Sequence, residues 1–252
     1  MNQPSDRMRE QLEQLALACR VLEMEGHGDL AQGHLSLRDD SGSFFWMKRN
    51  DIGLGEVMGP EDFVSLSFEG QKLSGSGRPH SEWPIHSEIF KARADVRIIA
   101  HSHPQFACLL TAADPIFHPY TIEADKLTRI GFFSGTSALI NDIEAGAEVA
   151  KALGEADLLF LANHGVVFCG ATIAETVCRG IFLERAARVE VMAANTSLKW
   201  RRFPDADERA LRHQQMISPG HIDQTWAYFQ RKLAALHTGS DGTARAVFGT
   251  RI

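Results

Sequence analysis

The run Val96-Arg97-Ile98-Ile99-Ala100, closed by His101-Ser102-His103-Pro104, constrains this chain more than any other stretch. A short apolar, β-branched run predicts a buried strand. Side chains alternate across an extended backbone, so two histidines one residue apart point the same way. Paired imidazoles at a strand end make half of a metal site. Pro104 stops the ladder and suits the first turn of a helix. A second apolar run, Leu158-Leu159-Phe160-Leu161-Ala162, ends at Asn163-His164-Gly165. It predicts another buried strand, delivering a third imidazole with a glycine behind it that lets the backbone turn closely.

Between these runs the pattern alternates helix and strand. Ser5 is placed to cap a helix whose apolar face is Met8, Leu12, Leu15, Cys19 and Leu22, ending near Gly26. A glycine-rich stretch, 27–34, leads into a strand at Leu35–Arg38. After a turn, Phe44–Met47 reads as a strand running into Lys48-Arg49-Asn50, two cations fit to hold an anionic group. Val64, Leu66 and Phe68 alternate with serines, as in a half-buried antiparallel strand. Ser81 can cap a helix carrying Ile85, Ile89 and Phe90, with Glu82 at its start. Glu82 is then a capping acid, a general acid/base or a fourth ligand, and spacing alone does not separate these. His86, one turn on, reads as a core or supporting histidine. The helix from Pro104 is broken by Asp114-Pro115, and Ile116–Arg129, with Tyr120, reads as loop. Helices follow at Ile143–Leu153, from Ile173 to about Leu198, at Asp205–Met216 and at Ile222–Leu236, with a further strand at Val166–Cys169. Glu184, Arg185, Arg188 and Glu190 are expected on the polar face of the long helix, in i,i+4 pairs. Residues 1–237 are expected to form one domain and 238–252, rich in Gly, Ser and Thr, a mobile tail.

The composition excludes several classes of partner. A formal charge of -6 supplies no basic field for nucleic acid or an anionic membrane. No apolar run is long enough to cross a bilayer, and the N-terminus lacks a signal-peptide core. The four cysteines have neither disulfide-framework nor CxxC spacing and read as buried thiols. The expected location is therefore the cytoplasm.

Taken together, His80-Ser81-Glu82-Trp83, His101-Ser102-His103-Pro104 and Ala162-Asn163-His164-Gly165 resemble the class II aldolase/adducin family, over about residues 10 to 200. The resemblance implies a single three-layer α/β/α domain with a central, mainly antiparallel sheet, assembled as a homotetramer with sites between subunits. It also implies one divalent metal ion per subunit on His101, His103 and His164, with Glu82 as catalytic acid/base. In sugar-phosphate members a tyrosine of the neighbouring subunit donates a proton, and Tyr120 lies in about the matching place. Imidazole ligands suit zinc, manganese, cobalt or iron.

This chain departs from the sugar-phosphate members where they cradle phosphate. Their Gly-Asn, Thr-Gly and Ser-Ser pairs are matched here by Gly33-His34, the Lys48-Arg49-Asn50 region and His80-Ser81. Imidazoles and cations suit a planar anionic substrate better than a phosphorylated sugar. The resemblance is accordingly closer to decarboxylases of hydroxylated pyridine- and benzene-dicarboxylates. The expected activity is a metal-dependent carbon–carbon lyase that decarboxylates a hydroxylated aromatic or related acid. His34, Lys48, Arg49, Arg78, His80 and Ser81 are its candidate substrate contacts. The alternatives are an aldolase acting on an unphosphorylated hydroxy-keto acid, an Fe(II)-dependent oxygenase and a non-catalytic adducin-like interaction module.

Overall fold

The buried runs assemble into one eight-stranded sheet in the order β4-β3-β2-β1-β5-β8-β7-β6. The computed structural model describes residues 4–113, 117–127, 129–200 and 202–238. Its strands are β1 His34–Arg38, β2 Phe44–Lys48, β3 Phe63–Ser67, β4 Lys72–Ser74, β5 Ile98–Ser102, β6 Ile130–Phe133, β7 Leu158–Leu161 and β8 Gly165–Gly170. Every neighbouring pair is antiparallel except β6–β7. The helices are α1 Asp6–Leu22, α2 Trp83–Ala92, α3 Gln105–Thr111, α4 Ile143–Leu153, α5 Ile173–Ala194, α6 Ala206–Met216 and α7 Pro219–Thr238.

Alternation along each strand divides the interior into two cores. Leu35, Leu37, Trp46, Ile98, Ala100, Phe160 and Phe168 pack with α1, α5 and α7 on one side. Phe45, Met47, Ile99, Leu159, Val167 and Cys169 pack with α2 and α4 on the other. This is the expected three-layer α/β/α domain, with both sheet faces covered. The expectation of a half-buried strand around Val64 needs correction for that reason. Phe63 to Leu66 is buried throughout, and buried Ser65 spends its hydroxyl on Ser74 at 2.7 Å.

Local chemistry explains the element ends. Ser5 Oγ accepts the Met8 N–H at 3.2 Å, and the chain leaves α1 through a π-type turn in which Gly26 adopts φ 92°. Asp142 caps α4, accepting from Ala145 N at 2.8 Å, and Asp205 caps α6. At α2 the N-cap is Glu82, not Ser81; Ser81 is exposed and Glu82 makes no capping bond. Strand β6 is absent from the sequence reading. It is short, and its Gly131 leaves no room for a Cβ, which would lie 2.8 Å from the Ala152 carbonyl oxygen. Both the Asp114-Pro115 breaker and residues 239–252 of the expected tail lie outside the described residues.

The long helix α5 ends at Ala194, short of Leu198. Its charges are used differently from a solvated face. Glu184 is buried and accepts the backbone N–H groups of Phe106 and Ala107 at 3.0 and 2.8 Å. Pro104, the N-cap of α3, has no side-chain oxygen to offer them, so α5 supplies the cap from across the core. Arg185 pairs with Glu25 at 2.9 Å and Glu190 with His118 at 2.7 Å, both long-range contacts in place of i,i+4 pairs. Among the described residues no helix is long and apolar enough to cross a membrane. All four thiols are free, and burial pushes each up to about 12.

Replacing Glu184 with Ala strands two N–H groups at the start of α3, directly after His103-Pro104. We expect a loss of about 1–3 kcal/mol in urea unfolding, the cost of unpaired buried donors. An unchanged unfolding midpoint would contradict this cap.

Candidate metal centre

Four separate elements converge at the α2-facing side of the sheet. His101 is the last residue but one of β5, on the face shared with Ile99, and the register sets it directly opposite His34 of β1. His103 follows after one alternation. His164 comes from the three-residue connection between β7 and β8, where Leu161 pairs with Gly165 and Asn163 takes φ 53°. The first residue of the α2 turn, Glu82, lies over them. Its Oε2 is 3.5 Å from His101 Nε2, and its Oε1 is 3.5 Å from His164 Nε2. One ligand atom from each of His101, His103 and His164 lies within 4.8 Å of the others.

Hydrogen bonds on the far side of two rings decide what the near side presents. His101 Nδ1 is 3.1 Å from the Val166 carbonyl, which can only accept, so Nδ1 carries the proton. His103 Nδ1 donates to Asp29 at 2.9 Å. Each Nε2 is therefore a bare lone pair in the neutral ring, and the two lie 3.1 Å apart. Two neutral acceptors cannot bond to each other. Two nitrogens bound to one cation at about 2.1 Å each sit roughly 3 Å apart, so the spacing suits a shared ion. Among the described residues neither buried ring nitrogen of His164 has a hydrogen-bond partner, so either tautomer leaves one nitrogen bare. The donor set fits a divalent cation on three imidazoles.

Burial tunes the surrounding groups. Desolvation holds His101 well below the ordinary imidazole range, with the neighbouring His103 and His164 adding to the effect. The same cause brings His164 down to about 4. Neutral rings are the state that ligates. Glu82 is 1% exposed, and its burial pushes the carboxyl up to about 7, opposed by the Ile140 N–H that donates to Oε1 at 3.0 Å. A carboxyl near neutrality can give or take a proton.

The structure brings some of the other candidates here and directs some elsewhere. His34 and His80 are buried beside Glu82, their rings 4.0 Å apart, and one atom from each of the three lies within 4.8 Å of the others. Lys48 shares the α1-facing side of β2 with Trp46. Its ammonium donates to the carbonyls of Ala31 (3.3 Å), Arg49 (3.0 Å) and Ile52. Desolvation lowers it to about 8, and its charge still helps to hold His34 and His80 neutral. Arg49 is taken up by Asp51 at 2.6 Å and Asp62 at 3.2 Å. Arg78 and Ser81 are exposed. Tyr120 packs on Trp200, Phe203 and His118 and has no ring contact with the metal histidines. A cleft of about 980 Å³ lined by Lys91, Arg93, Arg129 and Lys151 involves none of these groups.

Asp29 is a functional residue that sequence reasoning missed. It sits in the glycine-rich 27–34 stretch, 74 positions from the ring it orients. Gly165, read from the sequence as a glycine that lets the backbone turn, leaves room for two rings. A Cβ there would lie 2.5 Å from His103 Cδ2 and 3.1 Å from His101 Cε1. Gly165→Ala should therefore displace two rings and weaken metal binding by at least about tenfold, and Asp29→Ala by about 10–100-fold. Titration of the chelator-stripped protein with zinc or manganese measures both, and affinity equal to the parent chain would contradict the geometry.

Comparison with known proteins gives the family and the fold. Residues 13–191 match the Class II Aldolase and Adducin N-terminal domain. Over 210 residues the chain is 26% identical to a 3,4-dihydroxyphthalate decarboxylase of Arthrobacter keyseri, covering 77% of this chain and 83% of that one. Over 162 residues it is 27% identical to an L-fuculose phosphate aldolase of Methanococcus vannielii, covering 62% of this chain and 82% of that one. An aldolase II superfamily protein from Pseudomonas syringae has the same fold, with a TM-score of 0.81 at 20% identity, covering 95% of this chain and 97% of that one. With that family model matched over residues 13–191, well over half of its length, the chain belongs to the class II aldolase and adducin family.

Proposed function

We propose that this protein is a metal-dependent carbon–carbon lyase that decarboxylates a hydroxylated aromatic carboxylic acid. The observation that carries the reading is the buried trio of His34, His80 and Glu82 beside the three metal histidines. The similarity to dihydroxyphthalate decarboxylases, spread over most of both chains, supports the substrate class.

His101, His103 and His164 would hold a divalent ion, zinc, manganese, cobalt or iron. When bound, it supplies charge stabilisation for the electron pair released as the carbon–carbon bond breaks. The chain's own groups account for the rest. A substrate carboxylate leaves as carbon dioxide, and Glu82 in its acid form delivers a proton to the carbon left behind. Glu82 then regains a proton from water, which closes the balance. Its elevated pKa suits both halves of that cycle near neutral pH. His34 and His80 orient a second carboxylate on the ring.

With Lys48 and Arg49 already engaged, the anion-binding duty falls on the imidazoles. Tyr120 could act as a proton donor only by reaching a site in another copy of the chain, which the proposed homotetramer would allow. Aldol cleavage of an unphosphorylated hydroxy-keto acid is the second reading, favoured by the similarity to fuculose phosphate aldolases.

The metal-loaded protein given 3,4-dihydroxyphthalate and related hydroxylated aromatic acids should release carbon dioxide. Glu82→Gln should lower kcat by about 10²–10⁴-fold while metal content stays unchanged. Release of an aldehyde from a hydroxy-keto acid, with no carbon dioxide from any aromatic acid, would replace this reading with the aldolase one.

A further inference from the structure

A buried relay stands behind the acid. On β1, His34 and Ser36 share one face by alternation, and α2 lays His86 across them. All three are fully buried. Ser36 Oγ lies 2.5 Å from His86 Nδ1, and His86 Nε2 lies 2.7 Å from His34 Nδ1. The far nitrogen, His34 Nε2, has no hydrogen-bond partner among the described residues and is 3.7 Å from Glu82 Oε2.

The direction of this chain follows from its buried end. Among the described residues His86 Nδ1 is the one hydrogen-bond partner of the Ser36 hydroxyl. If His86 Nδ1–H donated to Ser36, the hydroxyl proton would be left unpaired in a dry site, at a cost typical of an unsatisfied buried donor. Ser36 therefore donates to Nδ1, and His86 donates from Nε2–H to His34 Nδ1. His34 is left with Nε2–H, a donor aimed at the pocket. His80 arrives at the same state independently, since its Nδ1 accepts the Glu82 N–H at 3.4 Å and its proton falls on Nε2.

We propose that the Ser36–His86 relay locks His34 as a hydrogen-bond donor. The His34–His80–Glu82 group then takes a substrate carboxylate and is not a second cation site. His34, His80 and Glu82 have the spacing of a metal-ligand group, but a cation needs bare nitrogens and a carboxylate needs N–H donors. Two N–H donors beside an acid that must carry a proton suit a planar dicarboxylate, held by one carboxylate while the other departs. Ser36 and His86 are positioning residues, acting through His34. This inference rests on the decarboxylase reading for its substrate class, but the polarity of the relay stands on geometry alone.

Nitrogen NMR of the metal-loaded, histidine-labelled protein tests the relay directly, with His34 assigned by its loss in His34→Gln. The expected spectrum shows His34 protonated at Nε2 and bare at Nδ1, and metal analysis shows one ion per chain. Phthalate, an unreactive dicarboxylate, is the binding probe. Ser36→Ala should bind it about tenfold more weakly with metal content unchanged, and Ser36→Thr, which keeps the hydroxyl, should restore binding. A His34 protonated at Nδ1, two ions per chain, or Ser36→Ala binding phthalate as tightly as the parent chain would overturn the proposal. If these results hold and no acid releases carbon dioxide, the reaction falls and the carboxylate subsite stands.

Discussion

Two imidazole nitrogens held 3.1 Å apart are the constraint on which the rest of this structure depends. In neutral rings both nitrogens are acceptors, and the Glu82 carboxyl lies over them, 3.5 Å from His101 Nε2. The fold tolerates the contact because both rings are tied from behind, one by the Val166 carbonyl and one by Asp29. A shared cation turns the contact into binding. Marginal stability makes such an arrangement costly to keep without a use, so it marks the site more strongly than the burial of any one ring.

The sheet places His34, His101 and His164. Antiparallel pairing of β1 with β5 sets His34 opposite His101, and pairing of β7 with β8 turns His164 in behind them. One face of β1 carries His34 and Ser36 toward α2, while its other face sends Leu35 and Leu37 into the core with α1. Position along the strand thus separates chemistry from packing. The same rule explains Lys48, which shares Trp46's face and so ends among backbone carbonyls on the far side of the sheet. Glu184 extends this economy, since a charge on α5 completes the helix that begins directly after the metal ligands.

The parts of this site legible in the sequence are those governed by short periods. His101 and His103 are two apart at the end of a strand, and α4 spans Ile143–Leu153, the stretch its pattern marks. The three-layer domain was readable through the family resemblance. What stayed hidden depends on contacts between distant segments. No spacing links Asp29 to His103, or Ser36 to His86 fifty residues on. Charge alone misdirected the reading of Lys48 and Arg49, because a cation's sign says nothing about which face it occupies. Glu82 stayed ambiguous between cap and acid until its carboxylate was found bonded to Ile140 in place of its own helix.

X-ray absorption on the metal-loaded protein, free of substrate, tests the central claim most directly. The account predicts one divalent ion per chain with three imidazole nitrogens at about 2.0–2.2 Å, and loss of one of them in His164→Ala. A shell of sulfur or carboxylate oxygen without imidazole, or a protein that takes up no ion, would contradict it.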